Sequence, residues 1–283
     1  MSWQLLLAIS VITQSISVLL QRLLLHKDKS DPIAYVIVFQ GLVAIIGTAY
    51  VLVHGFHMPD LTKYWFPILA TFVLYGLAHT MYAKTLQQVE ASVVSIFLAT
   101  NAIWVMLMSY LLFHERLSIE EVLGALLIFT SVGMLAERSG KLKLDRGILL
   151  GLLTGLLFGF ATVAWVYVGK HADTPSWLAL SFAGPSLVVL LTNPKAVMKM
   201  KPFLHGGTLM RMVLLAIIFS ICNITLLTAY QYGKASLIAP LQQTSLIVTI
   251  VLAIIFLRER TRLWQKAIAA TVCFLGVLLV AMR

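Results

Sequence analysis

Tyr75, His79 and Tyr82 recur at i, i+4 and i+7, which on a helix places them on one face. Tyrosine can hydrogen-bond or stack, and histidine also titrates near neutral pH. His79 therefore reads as a proton relay, a donor to a bound solute, or a packing histidine. Similar faces recur along the chain. Gln14, Ser17 and Gln21 fall at i, i+3 and i+7, and Asn223 and Tyr230 at i and i+7. Gln242, Ser245 and Thr249 share a face, with Gln243 beside it. Asn101 stands near Trp104, and Trp165 lies in the middle of an apolar run. All lie inside long apolar segments, where a polar group is costly unless it faces a cavity or another polar group. As a set they read as the lining of a largely uncharged cavity, rich in amides and aromatic rings, for a small-molecule substrate. Singly, each reads equally well as an interhelical hydrogen bond of about 0.6 kcal/mol.

The elements that must hold these residues follow from composition. Of 283 residues, 60% are hydrophobic and 11% charged, against roughly 25% charged in a soluble domain. There is too little polar surface to cover a water-soluble core, so the chain reads as an all-α integral membrane protein, multi-pass in the plasma membrane. Ten apolar spans are expected, near Trp3–His26, Pro32–His54, Tyr64–Gln87, Ala91–Phe113, Ser118–Ala136, Gly147–Lys170, Pro175–Leu191, Met210–Tyr232, Ala235–Leu257 and Thr261–Met282. The first has no basic leader and no small-residue cleavage site, so it reads as a retained helix. The longest connection, Thr192–Thr208, is basic and broken by Pro and Gly, and reads as an interfacial loop against membrane lipid.

The chain also carries an internal echo. "LLFHERLSI" surrounds Glu115 and "IFLRERTRL" surrounds Glu259, 144 positions later. At that offset Thr85–Arg116 aligns with Ala229–Arg260 without a gap, and Gln87, Ala91, Ser92, Thr100, Ile103, Glu115 and Arg116 each meet the same residue type. The order of spans agrees. The expected organisation is two five-helix repeats, 1–140 and 145–283. Five is odd, so the second repeat enters the membrane the opposite way round. Inverted repeats of this kind rock about a central site in secondary transporters.

"KASLIAPLQQTSLIVTIVLAIIFLRER", the Ala-Ser opening and the Glu-Arg closing of the fourth helix in each half, and the ten-span plan resemble the EamA-type branch of the drug/metabolite transporter superfamily. The first half departs from the pattern, with Ile96 where the second half has Pro240. The resemblance covers nearly the whole chain. It implies a ten-helix basket around a central cavity, carrying amino acids, other metabolites, nucleotide sugars, amines or lipid-linked sugars.

The corners themselves, Glu115–Arg116 and Glu259–Arg260, read as structural, since a span end is the least costly place for charge. Ser118 with Glu121 has capping-box spacing. Gly147, Gly151, Gly155 and Gly159 form a stripe without side chains, which reads as close helix packing, the sharper reading being a sliding contact. Arg22 and Lys84 lie a turn inside span ends and read as snorkelling.

Absences narrow the function. No Asp or Glu falls deep in any span, which argues against proton-coupled export of cations through a buried carboxylate. Cys222 and Cys273 read as free, packed thiols. No metal-ligand spacing, cofactor motif or paired catalytic carboxylate is present, so neither an enzyme nor a cofactor is expected. The formal charge of +10 is spread over loops, with no domain to present it to nucleic acid. Sixteen of the 21 lysines and arginines fall on the side opposite the termini, which by the positive-inside rule puts the termini outside the cytoplasm; the resemblance implies cytoplasmic termini. The expected function is a secondary transporter, an exporter of small neutral or zwitterionic metabolites such as amino acids, acting as a monomer or homodimer. The alternatives are a lipid-linked-sugar flippase of the same fold and a non-transporting membrane sensor or assembly partner.

Overall fold

The structure, a computed structural model, describes residues 2–25, 31–113, 118–138, 141–142, 146–232, 238, 241–258 and 262–281. The Glu115–Arg116 and Glu259–Arg260 corners lie outside them, and so does the Glu121 side chain.

Eleven α-helices are seen among the described residues: α1 (Trp3–Leu25), α2 (Pro32–His54), α3 (Leu61–Gln88), α4 (Ala91–Ala99), α5 (Asn101–Phe113), α6 (Ile119–Ala136), α7 (Arg146–Gly169), α8 (Thr174–Thr192), α9 (Gly206–Tyr232), α10 (Ser245–Phe256) and α11 (Leu263–Ala281). A two-residue antiparallel ladder, β1 (Glu137–Arg138) with β2 (Lys141–Leu142), follows α6. Six helices, α1, α2, α3, α7, α8 and α9, are long and apolar enough to cross a membrane; the remaining apolar stretches, 91–105, 122–134, 245–256 and 263–279, are shorter. Helices suit this setting because they satisfy every interior backbone group within the segment.

The sequence punctuates several starts. Asp31 caps α2, its carboxylate accepting from the amides of Ile33 and Ala34, with Pro32 in the first turn. Asp60 caps α3 through the amides of Thr62 and Lys63, and Asp173 caps α8 through that of Ser176. Between α8 and α9, Thr192–Thr208 is not plain loop. Pro194–Lys199 and Lys201–Phe203 form two 3₁₀ turns, anchored by buried Ala196 and Phe203.

The fourth span differs from the single helix expected over Ala91–Phe113. It breaks at Thr100 into α4 and α5. There the Thr100 amide bonds the Phe97 carbonyl three residues back, and the Thr100 hydroxyl donates to the same carbonyl at 2.7 Å. The hydroxyl competes with the helical ladder and tightens one turn. Thr244, 144 positions on, repeats the arrangement. Its amide bonds the Leu241 carbonyl, and its hydroxyl donates there at 2.7 Å.

Packing joins the two halves throughout. The most extensive pairings are α6 on α11, α3 on α7, α2 on α8 and α1 on α9. Next come α3 on α8, α2 on α9, α5 and α4 on α7, and α1 and α4 on α10. Each joins a helix before residue 140 to one after 145. Exchanging the halves helix for helix leaves this set of pairs unchanged. The largest core gathers α2 with α3, α8 and α9, including Tyr35, Phe39, Leu86, Leu178, Met212 and Leu215. Trp177 is fully buried, and its indole nitrogen donates to the Trp165 carbonyl at 3.0 Å.

Candidate functional site

The three residues of the α3 face do converge. Tyr75, His79 and Tyr82 point to one place because α3 stays helical across them, and Phe158 of α7 meets all three rings at centroid distances of 6.0, 5.1 and 5.9 Å. Besides Phe158, three rings from both halves stand around His79: Tyr75 at 5.8 Å, Phe39 of α2 at 6.2 Å and Phe219 of α9 at 6.2 Å. Phe39 and Phe219 close the ring edge to face at 5.1 Å. His79 is 6% exposed. Its partners are ring faces and edges, spaced as aromatic pairs prefer.

In this box of packed rings the imidazole and the two phenols are the polar groups. Phe39, Phe158 and Phe219 were not singled out from sequence, because a search for polar residues in apolar spans passes over phenylalanine. Gln40, next to Phe39, was also missed. It is fully buried in α2, and neither of its amide atoms has a hydrogen-bond partner among the described residues. Its signal was plain: a glutamine in the middle of an apolar span.

The other expected lining residues stand on the surrounding helices, some beside this box: Tyr35, which bonds Gln21, stacks on Phe39 at 5.7 Å. Gln21 accepts from the Tyr35 hydroxyl at 3.2 Å, and the buried Ser17 hydroxyl donates to the Gln14 carbonyl at 2.7 Å. Gln14 accepts from the Cys222 thiol at 3.3 Å, which ties α1 to α9. Asn223 turns back on its own helix, donating to the Phe219 carbonyl at 2.8 Å. Asn101 and Trp104 lie where α5 meets α7, Trp104 touching Phe160 edge-on at 6.1 Å. Trp165 is buried with Trp177 and Leu227. Tyr230 joins the cluster of Leu7, Val11 and Ile238. Gln242 and Gln243 lie just before the Thr244 turn; Gln242 Oε1 is buried without a partner among the described residues. Arg22 donates to the Leu86 carbonyl, linking the ends of α1 and α3.

The glycine stripe has a defined partner. Gly151 lies on the Phe97 ring, Gly155 on Thr100 and the Phe97 carbonyl, and Gly159 on Trp104 and the Asn101 carbonyl. Three of the four glycines thus let α7 approach the α4–α5 break closely. Gly147 is buried at the start of α7. No group of three or more metal-ligating side chains occurs among the described residues.

Comparison with known proteins gives the family. The model of the EamA-like transporter family matches residues 1–136 and, a second time, 145–282. An uncharacterised protein of Methanocaldococcus jannaschii is 26% identical over 140 residues, which is 49% of this chain and 98% of that protein. One solved crystal structure shares the fold with a TM-score of 0.66, at 16% identity, over 96% of each chain. With two family matches spanning nearly its whole length, and six helices able to cross a membrane, the chain belongs to the EamA-like transporter family and is a multi-pass integral membrane protein of the drug/metabolite transporter type.

Proposed function

We propose that the chain is a secondary transporter that exports small neutral or zwitterionic metabolites, amino acids among them, by alternating access of two inverted five-helix repeats. The observation that carries this is the box around His79. Its walls come from α2 and α3 of the first half and α7 and α9 of the second. A solute held there touches both halves, so its binding energy differs between any two arrangements of them. That is what a ligand needs to shift a conformational equilibrium. The exchange of pairings between halves supports the inverted-repeat reading, since two such states then have similar energies. The lining also supports an uncharged cargo. Rings, phenols and amides offer stacking and hydrogen bonds, and no carboxylate lies among them to balance a cation.

The test is thermal unfolding of the purified protein against amino acids, amines, nucleotides and sugar phosphates. A ligand of the folded state raises the melting temperature with concentration. Stabilisation by an amino acid or another zwitterion, lost in a folded His79→Phe variant, is the expected result. Stabilisation by polyvalent anions or cations alone would sink the assignment of substrate class.

A further inference from the structure

Among the described residues, two ion pairs cross between the halves, and both lie at the same end of the bundle. Lys199, in the 3₁₀ segment after α8, donates to the Asp31 carboxylate at 2.7 Å. Lys266, in the first turns of α11, donates to Glu90. The Arg22 bond to the Leu86 carbonyl ties the α1–α2 corner to the α3–α4 corner, so Asp31 and Glu90 share one end. Glu90 is positioned as the cap of α4, yet its carboxylate makes no capping bond and reaches Lys266 instead. That exchange gives up a local stabilisation for a contact between halves.

The opposite end is built differently. There the halves meet through the His57 amide donating to the Ser176 hydroxyl at 2.9 Å, and through Tyr64 stacked on His171 at 5.3 Å and edge-on to Tyr167 at 5.8 Å. Asp173, the cap of α8, spends its carboxylate on Ser176 of its own helix. No ion pair crosses at that end among the described residues.

We propose that Asp31–Lys199 and Glu90–Lys266 form a charge latch, a gate that holds the lysine- and arginine-rich end shut until both pairs part. The inference rests on the rocking of the halves proposed above. The two pairs have different characters. Lys266 is 4% exposed, so losing Glu90 takes an opposite charge from beside a nearly buried one. The Lys199 side chain is 63% exposed, so salt screens its pair readily. An ionic gate at one end and a neutral, aromatic one at the other make the two open states respond differently to ionic strength.

Pulsed electron-spin distance measurements on the full chain in lipid nanodiscs test this. One label pair, at the exposed Gln88 and Lys195, reads the latched end; a second, at the exposed Met58 and Lys170, reads the other. Cys222 and Cys273 are first replaced by Ser and Ala. In the otherwise unaltered protein at low salt, the first pair is expected to give one short distance. Glu90→Gln or Lys199→Gln should raise a longer population about fivefold, and so should about 0.5 M NaCl. The swap of Glu90→Lys with Lys266→Glu should restore the short distance. If Glu90 variants fail to fold, Lys199→Gln decides alone. A long population equally abundant in all variants and at all salts overturns the latch while leaving the rocking intact. Single fixed distances for both pairs under every condition overturn the rocking as well.

Discussion

The Ser15 hydroxyl of α1 donates to the Ser245 carbonyl of α10 at 3.1 Å, and the residues 144 positions from each, Gly159 and Asn101, also meet. A Cβ on Gly159 would lie 3.1 Å from the Asn101 carbonyl. The same crossing is made twice, once with a hydroxyl and once with no side chain. The first version adds a bond, and the second brings the backbones closer. Ser15→Ala should cost about 0.6 kcal/mol, the usual worth of an interhelical hydrogen bond in a membrane protein. Gly159→Ser should cost more, because its Cβ would also strike Trp104. Unfolding of both variants in mixed micelles compares them, and equal costs would refute the assignment.

Gly155 is the least replaceable member of the stripe. An alanine Cβ there would meet the Thr100 hydroxyl and stand 2.8 Å from the Phe97 carbonyl, which is backbone and cannot swing aside. Overpacking of this kind costs about 1–3 kcal/mol. Gly133 on α6 has nothing within 4 Å of its added Cβ, so alanine there should be neutral or stabilising by up to about 1 kcal/mol through helix propensity. Denaturation midpoints of Gly155→Ala and Gly133→Ala should move apart. If they move together, α7 does not rest on the α4–α5 turn.

This pair of glycines shows where sequence is informative. A four-residue glycine period announces close packing, but not the partner. Phe97, Thr100 and Trp104 became that partner only through the turn at Thr100, which carries no proline or glycine to mark it. A threonine hydroxyl tightening one turn leaves an ordinary apolar span in the sequence. The helices themselves were legible, because hydrocarbon imposes length and hydropathy on them. So was the α3 face, because a helix fixes which residues share a side. The box around it was not: Phe39, Phe158 and Phe219 arrive from three other helices, and an apolar residue in an apolar span gives no sign of what it faces.

His79 can be tested without hollowing the core. Alanine would remove a buried ring from contact with Phe39, Tyr75, Phe158 and Phe219, at a cost of several kcal/mol by analogy with aromatic truncation, about 3–5 kcal/mol. Phenylalanine keeps a planar ring and loses both nitrogens. His79→Phe should stay within about 1.5 kcal/mol of the parent while abolishing substrate-induced stabilisation and uptake into proteoliposomes. Full transport by a folded His79→Phe protein would show that the imidazole nitrogens are not used and that the box serves only as packing.

Asp31 carries a pH signature with a definite sign. Burial pushes its carboxyl upward, but the hydrogen bond from Lys199, the amides of Ala34 and Ile33 and the Lys199 charge outweigh that and hold it below its ordinary value of 3.8. A carboxyl depressed in the folded state adds stability that is fully present above its unfolded value and is lost as pH falls through the folded one. Asn caps a helix about as well as Asp, so Asp31→Asn removes the ion pair and spares the start of α2. At neutral pH the variant should be less stable by up to about 1 kcal/mol, the range for a partly exposed pair. Below the ordinary carboxylate range the two proteins should converge, and about 0.5 M salt should shrink the gap at neutral pH. No gap between the two proteins at neutral pH and low salt would mean that Asp31 acts on α2 alone, as a cap that Asn replaces, and that Lys199 contributes nothing by its charge.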